Sequence, residues 1–348
     1  MTAERVDEIL SRFPEATVAV IGDFFLDKYL ILDASLTEVS LETGLDAYQV
    51  VEKRLSPGAG GTVMNNFCAL DVGRVVAVGF IGDDGEGYEL RREMQRRGVD
   101  LSYLIVRIDL FTPTYTKPML RDETGQEREL NRLDIKNRVP IPRDLEDAVL
   151  DNLRAVLPDV DAVVVADQVE ERHLGTITDR VREEICRLAR QHRDKIFFAD
   201  SRGNIALFSD VIVKPNKLEA AKACGYAGPE DALTPQDALA YGAQLAARNN
   251  APVFVTAGAE GLIVFDGRGY SHVPGIKVPP PVDIVGAGDA ATAGIVAALC
   301  AGATVREAAV IGNCVASITV QQIGTTGTAS RPEVSRRFRE HAHLFAEI

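Results

Sequence analysis

An α/β fold with a largely parallel sheet is the architecture this sequence predicts, and three observations carry the expectation. Short apolar runs rich in β-branched residues recur along the chain without the in-out alternation of half-exposed strands, as strands covered on both faces must. Helix-length patterns fall between successive runs, the order a parallel sheet requires. Polar and acidic residues gather where the runs end, which in such folds is the ligand-binding edge.

In chain order, the first run is Val18 to Ile21, ending at Gly22-Asp23. Val75 to Phe80, Ala162 to Ala166, Ile196 to Ala199, Val211 to Val213, Val253 to Thr256 and Gly261 to Phe265 follow. Helical patterns cover Val63 to Leu70, Gly87 to Arg97, Arg143 to Leu157, Thr176 to His192 and Pro235 to Arg248. Gly22-Asp23, Asp167, Asp200, Asn216 and Thr256 all fall at run ends. Ala290 to Ala301 reads as a buried helix stopped by Gly302, shorter than the roughly 18 residues of a membrane span. Arg331 to Ile348 reads as a charged terminal helix.

Two stretches break the alternation, Asp27 to Leu55 and Tyr103 to Leu133. Both read as extended and partly polar, the second with a hairpin turn at Asp122-Glu-Thr-Gly125. Segments 28–55 and 103–133 are therefore expected to form a small β-layer, a lid inserted in one domain covering 1–348. A layer with one apolar face needs a partner, so a homodimer through it is expected.

Composition narrows the function. With 348 residues and 46% apolar content the chain can bury a large core. A net charge of −13 argues against generic nucleic-acid binding. The five cysteines, Cys68, Cys186, Cys224, Cys300 and Cys314, form no CxxC pair and read as reduced, buried thiols. Met-Thr-Ala-Glu-Arg carries no basic-then-apolar leader, so a cytoplasmic location without membrane attachment is expected. The five histidines show no metal spacing, and no HExxH, Ser-His-Asp order or Walker GxxxxGK[ST] is legible.

Pro281 to Asp289, Pro-Val-Asp-Ile-Val-Gly-Ala-Gly-Asp, carries the most chemistry. Backbone amides at a glycine turn that opens a helix can hold phosphate charge. Asp289, in the first helical turn, can take a proton from an attacking hydroxyl. Asp283 lies upstream, where a cation can be held. Ser56-Pro-Gly-Ala-Gly-Gly-Thr62 is a second glycine-rich helix entry, suited to close approach of a polyol. Asp27 can accept from sugar hydroxyls. In Lys214-Pro-Asn-Lys-Leu-Glu219, Asn216 is a helix cap and Glu219 can face a metal-bound water. Thr256 and Gly258, in Val255 to Gly261, can bond a phosphate oxygen. Lys117 and Arg132, the latter in Asn131-Arg-Leu-Asp134, are basic residues of the β-layer.

In this order these elements resemble the pfkB, or ribokinase-type, carbohydrate kinases over roughly Val18 to Thr328. Gly58-Ala-Gly-Gly61, Asn216-Lys-Leu-Glu219 and Asp283 to Asp289 are the most specific parts. Gly22-Asp-Phe-Phe-Leu-Asp27-Lys-Tyr29, Arg132-Leu-Asp134 and the tail Asn313 to Gly324-Thr325 are similar to the D-glycero-β-D-manno-heptose 7-phosphate kinase branch. The resemblance implies a three-layer α/β/α core with a β-lid, and MgATP-dependent phosphorylation of a sugar hydroxyl. It implies Asp289 as general base, with the amides of Gly286, Ala287 and Gly288 as anion hole. Asn216, Glu219, Thr256, Gly258, Gly261 and Asn313 would serve the nucleotide, Glu219 and Asp283 the Mg²⁺. Asp27, Gly58, Gly60, Gly61, Lys117 and Arg132 would serve the sugar, and Arg202 would reach phosphates. A monovalent-cation requirement is left open.

Departures from the family pattern are Thr62 for the usual Asn, Ile284 or Val285 for Thr, Ala291 for a bulky residue, and Asp167-Gln-Val-Glu170 for Asp-Tyr-Gly-Lys-Gly. They suggest an altered sugar site. They also keep in view a kinase for another sugar or a nucleoside, and a sensor that binds sugar or nucleotide without turnover.

Overall fold

A computed structural model describes residues 1–324 and 326–348; Thr325, in the expected C-terminal signature, lies outside them. The strands are β1 (Thr17–Gly22), β2 (Phe24–Val39), β3 (Asp46–Ala59), β4 (Arg74–Gly82), β5 (Asp100–Arg107), β6 (Thr114–Arg121), β7 (Glu127–Glu129), β8 (Leu133–Ile135), β9 (Ala162–Asp167), β10 (Ile196–Ser201), β11 (Ile212–Val213), β12 (Val253–Thr256), β13 (Gly261–Phe265) and β14 (Tyr270–Pro274). The α-helices are α1 (Ala3–Ser11), α2 (Gly60–Ala69), α3 (Gly85–Arg96), α4 (Arg143–Val156), α5 (Asp179–Gln191), α6 (Lys217–Ala223), α7 (Pro235–Ala246), α8 (Ala287–Cys300), α9 (Val305–Thr319) and α10 (Arg331–His341).

Nine strands form the main sheet in the order β14-β13-β12-β11-β10-β9-β1-β4-β5, all running the same way except β13, which is antiparallel to both β12 and β14. Its central strands are buried on both faces, and the period-2 geometry of a strand divides their side chains between two cores. Val18 and Val20 join a core with α1, α2, α8, α9 and α10. Ala19 and Ile21 join the other, with α4, α5 and α7. This is the three-layer α/β/α arrangement. The chain runs from β1 to β4 and β5 on one side, then returns to β9 on the other, so the strand order reverses between β1 and β9. Ligand crevices in doubly wound sheets open at such a reversal, beyond the carboxyl ends.

Small residues bring α8 close to its neighbour. Ala290 to Ala298 are all buried, and a Cβ on Gly294 would stand 3.1 Å from the Gly312 Cα of α9. The second sheet, β3-β2-β6-β7 with β8 also paired to β6, is the lid. It springs from the sheet's carboxyl edge, since β2 follows β1 after Asp23 alone.

Two expectations need correction. Tyr103 to Arg107 is not lid: it belongs to β5, the edge strand of the main sheet, paired in parallel with β4 from Val78 to Gly82. Edge strands expose one face, so its mixed polarity imitated a lid strand; the second lid segment begins at Thr114. The terminal helix ends at His341, and a 3₁₀ turn covers Ala342–Phe345. The turn Asp122 to Gly125 does join β6 to β7, with Gly125 at φ +84°. Among the described residues no helix is long and apolar enough to cross a membrane, and all five cysteines are free.

Candidate active site

Gly286 takes the left-handed conformation, φ +79°, and turns the chain into α8. Such a φ is costly for any residue with a Cβ. The turn leaves Gly286, Gly288 and Asp289 without a carbonyl partner for their N–H groups among the described residues. Ala287 differs from the expectation, because its N–H donates to the Ile284 carbonyl at 3.1 Å and is engaged in the turn itself. Gly286, Gly288 and Asp289 line a cavity of about 400 Å³ with Asp200, Arg202, Lys214, Asn216, Glu219, Thr256 and Gly258. Strand ends β10, β11 and β12 deliver the last seven of these.

Charge in this cavity is tightly balanced. Lys214 Nζ lies 2.8 Å from Asp200 Oδ2, and both residues are buried. Thr292 Oγ1, one turn beyond Asp289, donates to the same carboxylate at 3.2 Å. Burial pushes the Asp289 carboxyl up to about 7, with the Asp200 charge adding to it and Lys214 and Arg202 opposing. Glu219 is also pushed up to about 7, first by burial and then by Asp200. Burial alone would lower Lys214, but Asp200 overrides it and keeps the ammonium above its ordinary value. A carboxyl titrating near neutrality at a helix N-terminus can accept a proton and still ionise at working pH.

Asn216 and Glu219 form a reciprocal capping box on α6: Glu219 N–H donates to Asn216 Oδ1 at 2.8 Å, and Asn216 N–H to Glu219 Oε2 at 2.7 Å. Among the described residues no three acidic, His or Cys side chains converge closely enough to chelate a metal directly. Asp200, Glu219 and Asp289 nonetheless line one cavity, and two of them ionise reluctantly. That set fits Mg²⁺, which keeps its waters and takes one or two carboxylates beside phosphate oxygens. Asp283 does not belong to the set. Its carboxylate accepts from Val285 N–H at 3.0 Å and Gly324 N–H at 3.3 Å, and it does not line the cavity. A short side chain two residues before a turn bonds its own backbone more readily than a distant ion.

Two further chambers share walls with this one. Gly258 and Ile284 also line an apolar cavity of about 430 Å³ with Ile276, Val278, Val282, Ala316, Val320 and Asn313. Gln168 and Arg202 also line a cavity of about 310 Å³ under the lid, with Phe25, Tyr115, Lys136, Asn137 and Glu170. The three form one cleft, with Asp289 in the middle chamber. Gly261 lies outside it: it opens β13, and a Cβ there would meet the Val273 carbonyl at 2.2 Å, so its role is close backbone packing.

The lid residues are arranged differently from expectation. Lys117 Nζ is held by Asp27 Oδ1 at 3.1 Å and Tyr29 OH at 3.0 Å, and lies over the Tyr29 ring. Arg132 pairs with Asp134 and stacks on the Tyr115 ring at 4.5 Å. Neither cation lines the cleft; Lys136 and Arg202 do. Gly58 lets Asp27 approach, since a Cβ there would stand 2.5 Å from Asp27 Oδ2. Gly60 and Gly61 begin α2, and Thr62 beside them reaches the Gly286 turn. Sequence reasoning placed Asp23 at a run end but gave it no role. Its buried carboxylate accepts from the N–H groups of Gln168, Val169 and Thr176, and so shapes the loop under the lid. Its position directly after the first strand was the available signal.

A nine-stranded α/β core with a β-lid over its carboxyl edge is the ribokinase-like architecture. Arabidopsis thaliana ribokinase, solved with ribose and ATP, superposes with a TM-score of 0.66 at 18% identity, covering 93% of this chain and 99% of that one. Escherichia coli phosphofructokinase-2, solved with substrates and products, gives 0.66 at 16% identity, covering 94% and 99%. The chain belongs to the pfkB family of carbohydrate kinases, whose sequence pattern matches residues 27–332. Among curated relatives, the bifunctional protein HldE of Citrifermentans bemidjiense is 28% identical over 96% of this chain, and that of Geotalea uraniireducens 28% over 99%. The chain spans 66% and 67% of the length of these two relatives.

Proposed function

We propose that this kinase moves the γ-phosphoryl group of ATP to a sugar hydroxyl in the middle chamber, with Asp289 as base. The observation that carries the reading is the convergence of Asp289 and the free Gly286 and Gly288 amides on the cavity that also holds Lys214 and Arg202. The acceptor hydroxyl gives its proton to Asp289 Oδ, its oxygen bonds to the γ-phosphorus, and the bond to ADP breaks. Gly286 and Gly288 N–H groups, Lys214 and Arg202 take up the charge on the transferring group; in-line transfer needs little else from protein. Asn216, Thr256 and Gly258 bind nucleotide phosphates, and Asn313 sits in the base chamber. Glu219 and Asp200 would hold Mg²⁺, whose charge would neutralise phosphate oxygens. The sugar would lie under the lid beside Asp289; Asp27 is already paired with Lys117, and neither it nor Gly58, Gly60 or Gly61 lines the cleft.

The acceptor we favour is a sugar phosphate, heptose 7-phosphate first, because the HldE relatives align along nearly the whole chain. Arg202 and Lys136, in the chamber under the lid, are the cations available for a remote phosphate. ATP consumption with a panel of heptose 7-phosphate, hexoses, pentoses, their phosphates and nucleosides tests this. Turnover with heptose 7-phosphate at least tenfold above the others is expected. Consumption with none of them, despite acceptor or nucleotide binding, would replace the kinase by a sensor.

The homodimer is proposed on the lid. Leu36, Val39, Leu41, Leu45, Tyr48, Val50 and Val51 are exposed along and beyond the β2–β3 hairpin, more apolar surface than a free sheet end tolerates. Sedimentation at micromolar concentration should give twice the 37.7 kDa chain mass, and Val50→Glu with Leu41→Glu should return it to monomer.

A further inference from the structure

We propose that Asp23 is a positioning residue for the acceptor: by clasping both ends of loop 168–176 it holds the wall of the chamber under the lid in the shape the acceptor meets. This rests on the kinase reading, with the acceptor in that chamber. Gln168, Val169, Glu170, Glu171 and Leu174 of the loop line it, whereas Asp23 lines neither that chamber nor the middle one. Its side chain acts from behind the wall. Oδ2 accepts from Gln168 N–H at 3.0 Å and Val169 N–H at 2.9 Å, at the start of the loop. Oδ1 accepts from Thr176 N–H at 2.7 Å, at its end.

The clasp is fixed, and little else ties the loop. Asp23 is 4% exposed. Its own N–H donates to the Ala166 carbonyl of β9 at 3.1 Å, and its carbonyl accepts from Gly60 N–H of α2 at 2.9 Å. Among the described residues, loop 168–176 makes two main-chain hydrogen bonds, Leu174 N–H to the Glu171 carbonyl at 3.2 Å and Ile141 N–H to the His173 carbonyl at 3.0 Å. No basic side chain among the described residues pairs with Asp23; burial pushes its carboxyl up, and the N–H groups of Thr176, Val169 and Gln168 oppose this. A buried carboxylate without a cation is costly unless donors replace its water, so the loop must come to it. Gly175 permits that approach, since a Cβ there would stand 2.7 Å from Asp23 Oδ1 and 2.8 Å from Val169 Cβ.

Magnitudes set the expectation. A hydrogen bond to a charged group shifts an equilibrium by roughly ten- to a hundredfold. An amide in place of the carboxylate offers one acceptor oxygen. Whichever way it turns, its NH₂ group faces either Thr176 N–H or the N–H pair of Gln168 and Val169, and one end of the loop is released. The acceptor then meets a chamber whose wall is in place for only a fraction of the time, and its KM rises by the inverse of that fraction, about tenfold. Asp289, Gly286, Gly288 and Lys214 stand on other elements, so turnover at saturating acceptor should hold.

The test uses two variants of the full chain, Asp23→Asn and Gly175→Ala. The second keeps the carboxylate and pushes the loop off it; Gly175 does not occupy the left-handed backbone region, so the added methyl acts through that contact, and this variant decides alone if Asp23→Asn fails to fold. Steady-state kinetics with heptose 7-phosphate, or with whichever acceptor wild type turns over fastest, are read beside MgATP calorimetry and amide exchange. Both variants should raise the acceptor KM about tenfold, with kcat and MgATP affinity within about threefold of wild type. Exchange should quicken at Val169 and Thr176 and stay constant along Ala162–Asp167. An acceptor KM within about twofold of wild type in folded variants overturns the proposal and leaves the kinase reading standing. A fall in kcat at constant KM overturns it too, because a merely structural loss lowers the active fraction and nothing else. Wild type that turns over no acceptor breaks the kinase reading itself, and this inference with it.

Discussion

The carboxyl edge of the main sheet and the lid that covers it are built from opposite materials. At the edge, Asp200 and Lys214 pair inside protein, with side chains 11% and 3% exposed, on strands whose neighbours are buried. In the lid, charge is held by charge at the surface: Arg54 contacts Glu52 and Glu127, and Arg121 contacts the same two carboxylates. Desolvated charges cannot relax into water when a partner is lost, whereas exposed ones can. The difference assigns tasks. Under the proposed mechanism, groups whose protonation and position must be fixed sit on the edge, and those proposed to close over a substrate sit on a sheet that water can loosen.

The largest expected effect lies at the edge. Asp289→Asn should lower kcat by about 10²–10⁴, the usual scale of a general base, with nucleotide affinity retained in calorimetry. Unchanged turnover would remove Asp289 from the mechanism. Next come matched disruptions of two ion pairs. Lys214→Met leaves Asp200 buried and uncompensated, and should cost about 3–5 kcal/mol in urea unfolding. Arg54→Met unpairs Glu52 in the lid, where the two side chains are 41% and 44% exposed and water reaches both, and should cost about 1 kcal/mol or less. Equal losses would erase the distinction between edge and lid.

Protonation sharpens the same contrast. Asp289 must be ionised to accept a proton, and its carboxyl is pushed up to about 7. Hence kcat/KM should rise about tenfold per pH unit below that value and level off above it. The stability sign is the reverse. A carboxyl raised in the folded state binds its proton more tightly than in the unfolded chain. Its contribution is therefore full below the ordinary carboxylate range and is lost as pH rises through about 7. Asp289→Asn should accordingly melt above wild type at pH 8, with the gain shrinking as pH falls and vanishing only below about pH 4. A constant difference across that range would mean that the carboxyl titrates at its ordinary value. On the proposed mechanism, the edge thus gives up some stability to keep a base poised.

What the sequence disclosed follows the same division. The edge was legible because buried parallel strands leave an unbroken apolar signature, as in Ala162 to Ala166, and because a glycine turn before a helix has few other uses. The lid was only half legible. Its strands alternate, and β5 at the sheet margin alternates too, which moved Tyr103 to Arg107 to the wrong sheet. Partners across space were invisible. Nothing in Lys117 or Arg132 announces Asp27 or Tyr115, and nothing in Asp283 announces Gly324. Lys136 escaped because a single charged residue after a strand carries no pattern of its own, and Asp23, though placed at a run end, could not announce its partners Gln168, Val169 and Thr176 far along the chain.

The smallest effect is the finest probe. Glu127 accepts from both Arg54 and Arg121, so Glu127→Gln removes the hub of the lid's charge cluster. Partly exposed pairs contribute about 0–1 kcal/mol each, and salt screens them within about 10 Å at 0.1 M. Global unfolding should scarcely move. Local opening should, because the lid's backbone bonds have solvent close on one face. Amide exchange should therefore quicken along Thr114–Arg121 and stay constant along Ala162–Asp167. In wild type, 1 M salt should imitate the substitution at Thr114–Arg121 and leave Ala162–Asp167 unchanged. Equal acceleration in both segments would mean that lid and edge open as one cooperative unit, and a lid that cannot open alone cannot admit a sugar independently of the core.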